Sequence, residues 1–292
     1  MIRGRLAMTC ILATSLILCS STASWAQIET AQRTGGFLVG VQAWTFSRFT
    51  TMEAIEKISA AGGSNIELYP GQPVGKEFPG VAIGPDMGPV ATDALRRQLT
   101  KFGVNVVAFG VTGIDKDEAS ARRLFAWAKS LGIGILNTES TDAIETIDKL
   151  VKEFDIRVGF HDHPRTSDPN YKVWNPNYVL QLVKNYDRRI GSCADTGHWV
   201  RSGIKPIDAL RILKGRVVSC HLKDLNEFSA NGHDVPYGTG VSQVPAILDE
   251  LRRQGFQGSV SVEYEFHMDN SLPEVAQCLG FVRGYFAGNP KL

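Results

Sequence analysis

One phrase is repeated eight times between residues 37 and 286: a short apolar run, then a stretch whose apolar residues recur at helical spacing. The apolar runs are 37–46, 65–69, 104–110, 134–138, 157–163, 190–195, 217–223 and 259–265. The helical stretches are 50–62, 92–102, 117–131, 142–154, 177–186, 206–213, 243–254 and 272–286. Runs such as Val217-Val218-Ser219-Cys220 are apolar on both faces, as parallel strands covered by helices must be. No shift in composition divides the series, so one domain is expected. Eight strand-then-helix units in one domain favour a closed (β/α)8 barrel. The rival is an open doubly wound sheet, which needs a glycine-rich phosphate loop after its first strand. Ala43-Trp44-Thr45-Phe46-Ser47 stands there instead.

The first 26 residues fall outside this pattern. Arg3 and Arg5 form a basic start, residues 6–18 are apolar, and Ser24-Trp25-Ala26 supplies small residues before a cut. This predicts a secretory signal peptide at 1–26, cleaved after Ala26, with the barrel domain at 27–292 and an exported, periplasmic or secreted product. The chain carries 31 basic and 30 acidic residues, and Arg3 and Arg5 leave with the leader. A near-neutral balance argues against a nucleic acid partner and against a membrane surface. Assembly into a homo-oligomer stays open. Cys193, Cys220 and Cys278 remain after cleavage, an odd number, and the first two lie inside apolar runs. They read as buried free thiols.

All six histidines lie between positions 161 and 267, each at or just past the end of an expected strand. In a (β/α)8 barrel that end carries the active site. Asp195, His221 and Glu263 end three successive strands. Mixed carboxylate and imidazole groups suit one divalent ion such as Mn, Mg, Co or Zn. A fourth ligand is needed, and either Glu139 or His161 could supply it. Asp195 could also serve as a helix cap. Glu265, two residues beyond Glu263, faces the same way, and depth favours Glu263 as the ligand. His163 shares a face with His161. His198 is suited to acid–base work or to support of a ligand. Lys223, two residues after His221, is a candidate to polarise a substrate oxygen. His233-Asp234 reads as a rim element. Trp44, Tyr69 and Trp199 could stack on a sugar ring.

With these residues in hand, the chain resembles the sugar phosphate isomerase/epimerase family of the xylose isomerase-like TIM barrels, within the AP endonuclease family 2 superfamily. The resemblance spans nearly all of residues 27–292. It is strongest in Ala194-Asp195-Thr196-Gly197-His198-Trp199, His221-Leu222-Lys223-Asp224 and Ser261-Val262-Glu263. It implies one divalent metal held by Glu, Asp, His and Glu, and the last three match Asp195, His221 and Glu263. Many relatives place the first Glu at the end of strand five, where His161 stands here. Glu139 from strand four would then substitute. The departure matters for the two-glutamate proton shuttle of the ketose 3-epimerases, which needs carboxylates on both faces of the substrate. The superfamily also holds three-zinc DNA-repair endonucleases. Those draw histidines from strands two and three, which lack them here.

The expected chemistry is proton transfer next to the carbonyl of a free sugar or keto-sugar, by isomerisation or epimerisation through an enediolate. Glu263, Glu139 or a histidine would carry the proton. The alternatives are a hydratase or lyase acting on a 3-keto-sugar or its enol, and a non-catalytic sugar-binding barrel.

Overall fold

The computed structural model describes residues 33–290 and, apart from them, Met1. The leader read at 1–26 lies, Met1 aside, outside the described residues. Eight parallel strands form the wall: β1 (Phe37–Gln42), β2 (Asn65–Leu68), β3 (Asn105–Phe109), β4 (Ile135–Thr138), β5 (Arg157–His161), β6 (Ile190–Asp195), β7 (Val217–Leu222) and β8 (Ser259–Val262). Each pairs with the next. β1 pairs with β8 as well as with β2, so the sheet closes on itself. The (β/α)8 barrel expected from the alternation is the fold found, in a single domain.

The strands are enclosed by α1 (Thr51–Ala60), α2 (Gly88–Phe102), α3 (Glu118–Ser130), α4 (Ile144–Phe154), α5 (Pro176–Val183), α6 (Thr196–Arg201), α7 (Pro206–Ile212), α8 (Val244–Arg253) and α9 (Leu272–Gly288). Their starts follow local chemistry. Thr50 and Glu53 form a reciprocal capping box on α1, and the Asp117 carboxylate accepts from the Ser120 amide at the start of α3. Each helix lays an apolar stripe on the wall. In α4 it is Ile144, Ile147, Leu150 and Val151, all buried. Burying each such side chain is worth about 1.5–3 kcal/mol.

The barrel interior has two levels. The lower one is apolar, a cluster of Leu38, Val107, Ala108, Ile135 and Val218. Two of these are extra residues in the strand ladders. Between β2 and β3 the pairing steps from Ile66–Val106 to Glu67–Ala108, passing over Val107. Between β6 and β7 it steps from Ser192–Val217 to Cys193–Ser219, passing over Val218. Such bulges re-aim the side chains above them. Above this level the interior is polar, and the strands end in ionisable groups.

One helix was not expected. α6 starts directly from Asp195, whose Oδ1 accepts from the His198 amide at 2.8 Å. Six residues are too few to show a helical period in sequence. The loop after β7 is pinned by a short antiparallel ladder, Asp224–Leu225 against Asp234–Val235. The Asp224 carboxylate accepts from the amides of Gly238, Gly240 and Ser242. Cys193, Cys220 and Cys278 are free and buried. No described helix is long and apolar enough to cross a membrane.

Candidate active site at the barrel mouth

A cavity of about 240 Å3 opens at the C-terminal ends of the strands. Trp44, Tyr69, Pro70 and Val111 line one part of it, and His161, His163, His198, Glu263 and Glu265 another. Trp44 and Tyr69 meet edge to face, with ring centres 5.2 Å apart.

Below this cavity the expected ligands converge. His221 Nδ1 lies 3.2 Å from Glu263 Oε2 and 4.0 Å from Asp195 Oδ2. His161 Nε2 lies 3.6 Å from the same Asp195 oxygen. His161 Nε2 and His221 Nδ1 are buried and make no hydrogen bond, and Glu263 Oε2 is buried with them, in ion-pair contact with Lys223 Nζ at 2.7 Å. Buried polar atoms without partners are costly. The separations of 3.2, 3.6 and 4.0 Å among these atoms and Asp195 Oδ2 are the spacing of ligands around one ion, where bonds of about 2.0–2.2 Å put tetrahedral neighbours roughly 3.4 Å apart. The donor set therefore fits a divalent metal.

What stands behind each imidazole supports this fit. His221 directs Nε2 at both oxygens of Glu67, at 3.0 Å each. Glu67 is itself held by Asn137 at 2.7 Å and Ser261 at 3.0 Å. His161 directs Nδ1 at Glu139 Oε1, at 3.2 Å. An imidazole that donates one N–H to a carboxylate leaves its other nitrogen as a lone pair for a metal. Glu139 thus stands behind His161 rather than beside Asp195. Its Oε1 also receives His163 Nδ1 at 2.5 Å and the Tyr171 hydroxyl at 3.1 Å. Burial opposes ionisation of Glu139, but His161 and His163 pull it down to about 2.

Burial works against a charge on His161, yet Asp195 and Glu139 raise this imidazole to about 10. Burial also opposes charge on His221, and Cys193, Glu67 and Glu263 lift it well above the ordinary value. Metal binding at these nitrogens would release protons.

Lys223 faces inward, as its spacing from His221 implied, but it is fully buried. Its Nζ lies 2.8 Å from Asp195, 2.7 Å from Glu263 and 2.8 Å from Glu265. Burial would lower its pKa, but these carboxylates raise it well above the ordinary value. With three protons facing three carboxylates, Lys223 has none left for a substrate oxygen. Its placement therefore holds the acids together instead. The lysine stem passes Gly197 so closely that a Cβ there would lie 2.7 Å from Lys223 Cβ and Cδ. Glu263 is the deeper of the two candidate acids, with 8% of its side chain exposed against 26% for Glu265.

His198 is buried beside Asp195, with Nε2 3.6 Å from Oδ2. Burial first, then the Lys223 charge, keep it neutral against the pull of Asp195. Its ligand atoms also fall within 4.8 Å of those of His161, Asp195 and Glu263. His233 packs on the Phe266 ring, 4.2 Å between centres, on the rim. Trp199 is buried in the core and is not among the residues lining the cavity.

Glu67 is the residue that sequence reasoning missed. It sits in Asn65-Ile66-Glu67-Leu68, and an acid inside an otherwise apolar strand was the available signal. Asp162 was missed too. It is buried, accepts from the Asp195 amide at 3.0 Å, and is raised well above the carboxylate range, by burial first and then Asp195.

The family model described as xylose isomerase-like TIM barrel matches residues 55–283. No curated protein matches in sequence. Among solved structures, an uncharacterised protein from Parabacteroides distasonis is 30% identical, with a TM-score of 0.68, covering 85% of this chain and 99% of its own. A D-tagatose 3-epimerase-like protein is 14% identical, with a TM-score of 0.65, over 85% and 97% of the two chains. The probable 3-DHS dehydratase AsbF from Bacillus anthracis is 14% identical, with a TM-score of 0.57, over 86% and 98%. The last two likenesses are of fold alone.

Proposed function

The chain belongs to the xylose isomerase-like TIM barrel family, and from that premise we propose that it is an enzyme that moves a proton next to the carbonyl of a small neutral sugar or keto-sugar. The observation that carries this reading is the convergence of His161 Nε2, Asp195 Oδ2, His221 Nδ1 and Glu263 Oε2 beneath the cavity. These four residues would hold one divalent metal, with His161 rather than Glu139 as the fourth ligand. When bound, the metal would act as a Lewis acid that stabilises negative charge on the substrate's carbonyl oxygen.

The remaining side chains divide the other tasks. Glu139 accepts the Nδ1 proton of His163, so Nε2 of this exposed imidazole is free to take a proton from carbon. Glu263 is a poorer base, because Lys223 and His221 outweigh burial and hold it at about 2. Trp44 and Tyr69 offer an apolar wall for a ring face and exclude water there. No lysine or arginine is among the described residues lining the cavity, which favours a neutral substrate over a phosphorylated one. The volume is below the roughly 300–1,000 Å3 of drug-sized pockets, which suits one small molecule.

Hydration or elimination on a 3-keto-sugar or its enol is the second reading. It is favoured by the rings of His163 and His198, stacked with centres 5.1 Å apart, while Glu263 is clamped by Lys223. Two imidazoles therefore lie side by side, an arrangement better suited to chemistry on one face than to epimerisation across two. The test is a screen of free sugars and keto-sugars with protein reloaded with Mn, Mg, Co or Zn, in D2O, read by mass. Isomerisation keeps the mass apart from deuterium gained from solvent, and hydration adds water. Sugar binding without turnover under any metal would sink both readings and leave the non-catalytic barrel. We also propose that the product is exported, which cell fractionation and sequencing of the mature N-terminus would check.

A further inference from the structure

Arg201 ends the short helix α6 and lies one turn beyond His198. Its side chain is 13% exposed, and its guanidinium reaches groups from three parts of the mouth. Nε donates to the Gly232 carbonyl at 2.9 Å, and Nη2 to Asp234 Oδ2 at 3.2 Å, both in the loop after β7. Nη1 lies 3.1 Å from His198 Nδ1 and 3.4 Å from Glu265 Oε2, beyond β8. Arginine always carries its protons, so wherever it meets an imidazole nitrogen, that nitrogen must be the acceptor.

A second cation lies on the other side of the same ring. Lys223 Nζ stands 3.3 Å from His198 Nε2. A neutral imidazole has only one lone pair, so it cannot accept from both. A proton inventory decides between them. Lys223 has three protons, and two go to Asp195 and Glu265 at 2.8 Å each. The third faces Glu263 Oε2 at 2.7 Å, a nearer and charged acceptor than the imidazole. Arg201 Nη1 has two protons, enough for His198 Nδ1 and Glu265 together.

We propose that Arg201 is a positioning residue that fixes His198 in the tautomer protonated at Nε2 and ties that tautomer to the placement of the loop carrying Gly232 and Asp234. His198 then offers an N–H towards Asp195 and the cavity. It is not a metal ligand, although its atoms fall within the reach of one. The inference rests on the proposed site only in treating His198 as a group that faces the cavity, and it can be read without any substrate.

The test is nitrogen NMR of the full chain labelled with 15N-histidine, with and without Zn2+. There are six histidines, and the His198 signals are assigned by their loss in His198→Gln. Wild type should show a bare imine nitrogen at His198 Nδ1 and a protonated one at Nε2, unchanged by Zn2+. Arg201→Met should lose the imine signature at Nδ1, a change that a merely structural arginine would not produce. Asp234→Asn should keep the tautomer and speed amide exchange in the loop around Gly232. A proton on Nδ1 in the wild type, a Zn2+-induced shift of Nε2 to that of a metal-bound nitrogen, or an unchanged tautomer in Arg201→Met would each overturn the proposal. Should Arg201→Met fail to fold, the wild-type tautomer and its response to Zn2+ still decide. Absence of turnover on every sugar would count against the proposed function alone.

Discussion

The mouth of this barrel has two sides built from the same side chain. On the side of β5 and β7, His161 and His221 are each backed by a carboxylate, Glu139 and Glu67. On the side of α6, His198 is backed by the guanidinium of Arg201. A carboxylate behind an imidazole draws the proton to the rear and leaves a lone pair in front. A guanidinium behind it takes the lone pair and leaves a proton in front. Residue type therefore says little about what a histidine offers a ligand, because the group behind the ring decides it.

The largest expected effect would remove the carboxylate-backed side. His221→Ala or Asp195→Ala should abolish metal binding, measured as metal per chain after gel filtration. Full retention in both would break the assignment of the donor set. Next in size, Glu67→Gln leaves His221 in place but removes the charge behind it. Its metal affinity should fall by about 10–100-fold in chelator competition. Arg201→Met should leave that affinity unchanged, and equal losses in the two variants would erase the contrast between the sides. Tyr171→Phe removes one of the three donors on Glu139. We expect a cost of about 1 kcal/mol and a small drop in Tm, with less loss of metal affinity than in Glu67→Gln.

The smallest effect concerns pH on the arginine side. Burial raises the Asp234 carboxyl from 3.8 to about 6, against the pull of Lys223 and Arg201. A raised carboxyl holds its proton more tightly in the folded chain than in the unfolded one. Its contribution to stability is complete below about pH 3.8 and is lost as pH rises through about 6. Asp234→Asn should flatten the change in Tm over that window. An identical pH profile in wild type and variant would show that Arg201 alone sets the charge there.

Much of this was legible in the sequence. The alternation of apolar runs and helical stretches gave the barrel, since eight such units have few ways to bury both faces of a parallel sheet. The placement of histidines past strand ends gave the mouth. The missing part has physical reasons. Glu67 lies in a strand of four residues, and its role depends on a ladder step at Val107 that no local pattern encodes. The spacing of Lys223 from His221 showed which way the lysine points. Its three carboxylates come from β6 and from the segment after β8, a convergence that only closure of the barrel creates. Asp195 read as either a cap or a ligand, and the geometry gives its two oxygens different tasks. Oδ1 caps α6, while Oδ2 faces His161, His221 and Lys223.

The close passage of Lys223 over Gly197 bears on anyone who would move this centre to another scaffold. Copying the acids and imidazoles alone would not reproduce it. The absent side chain at position 197 is a channel through which the lysine reaches the acids, and even alanine there would block it. The transferable unit is a set of groups together with one deliberate gap. A search for the same arrangement in other barrels should ask for that gap as strictly as for the charges around it.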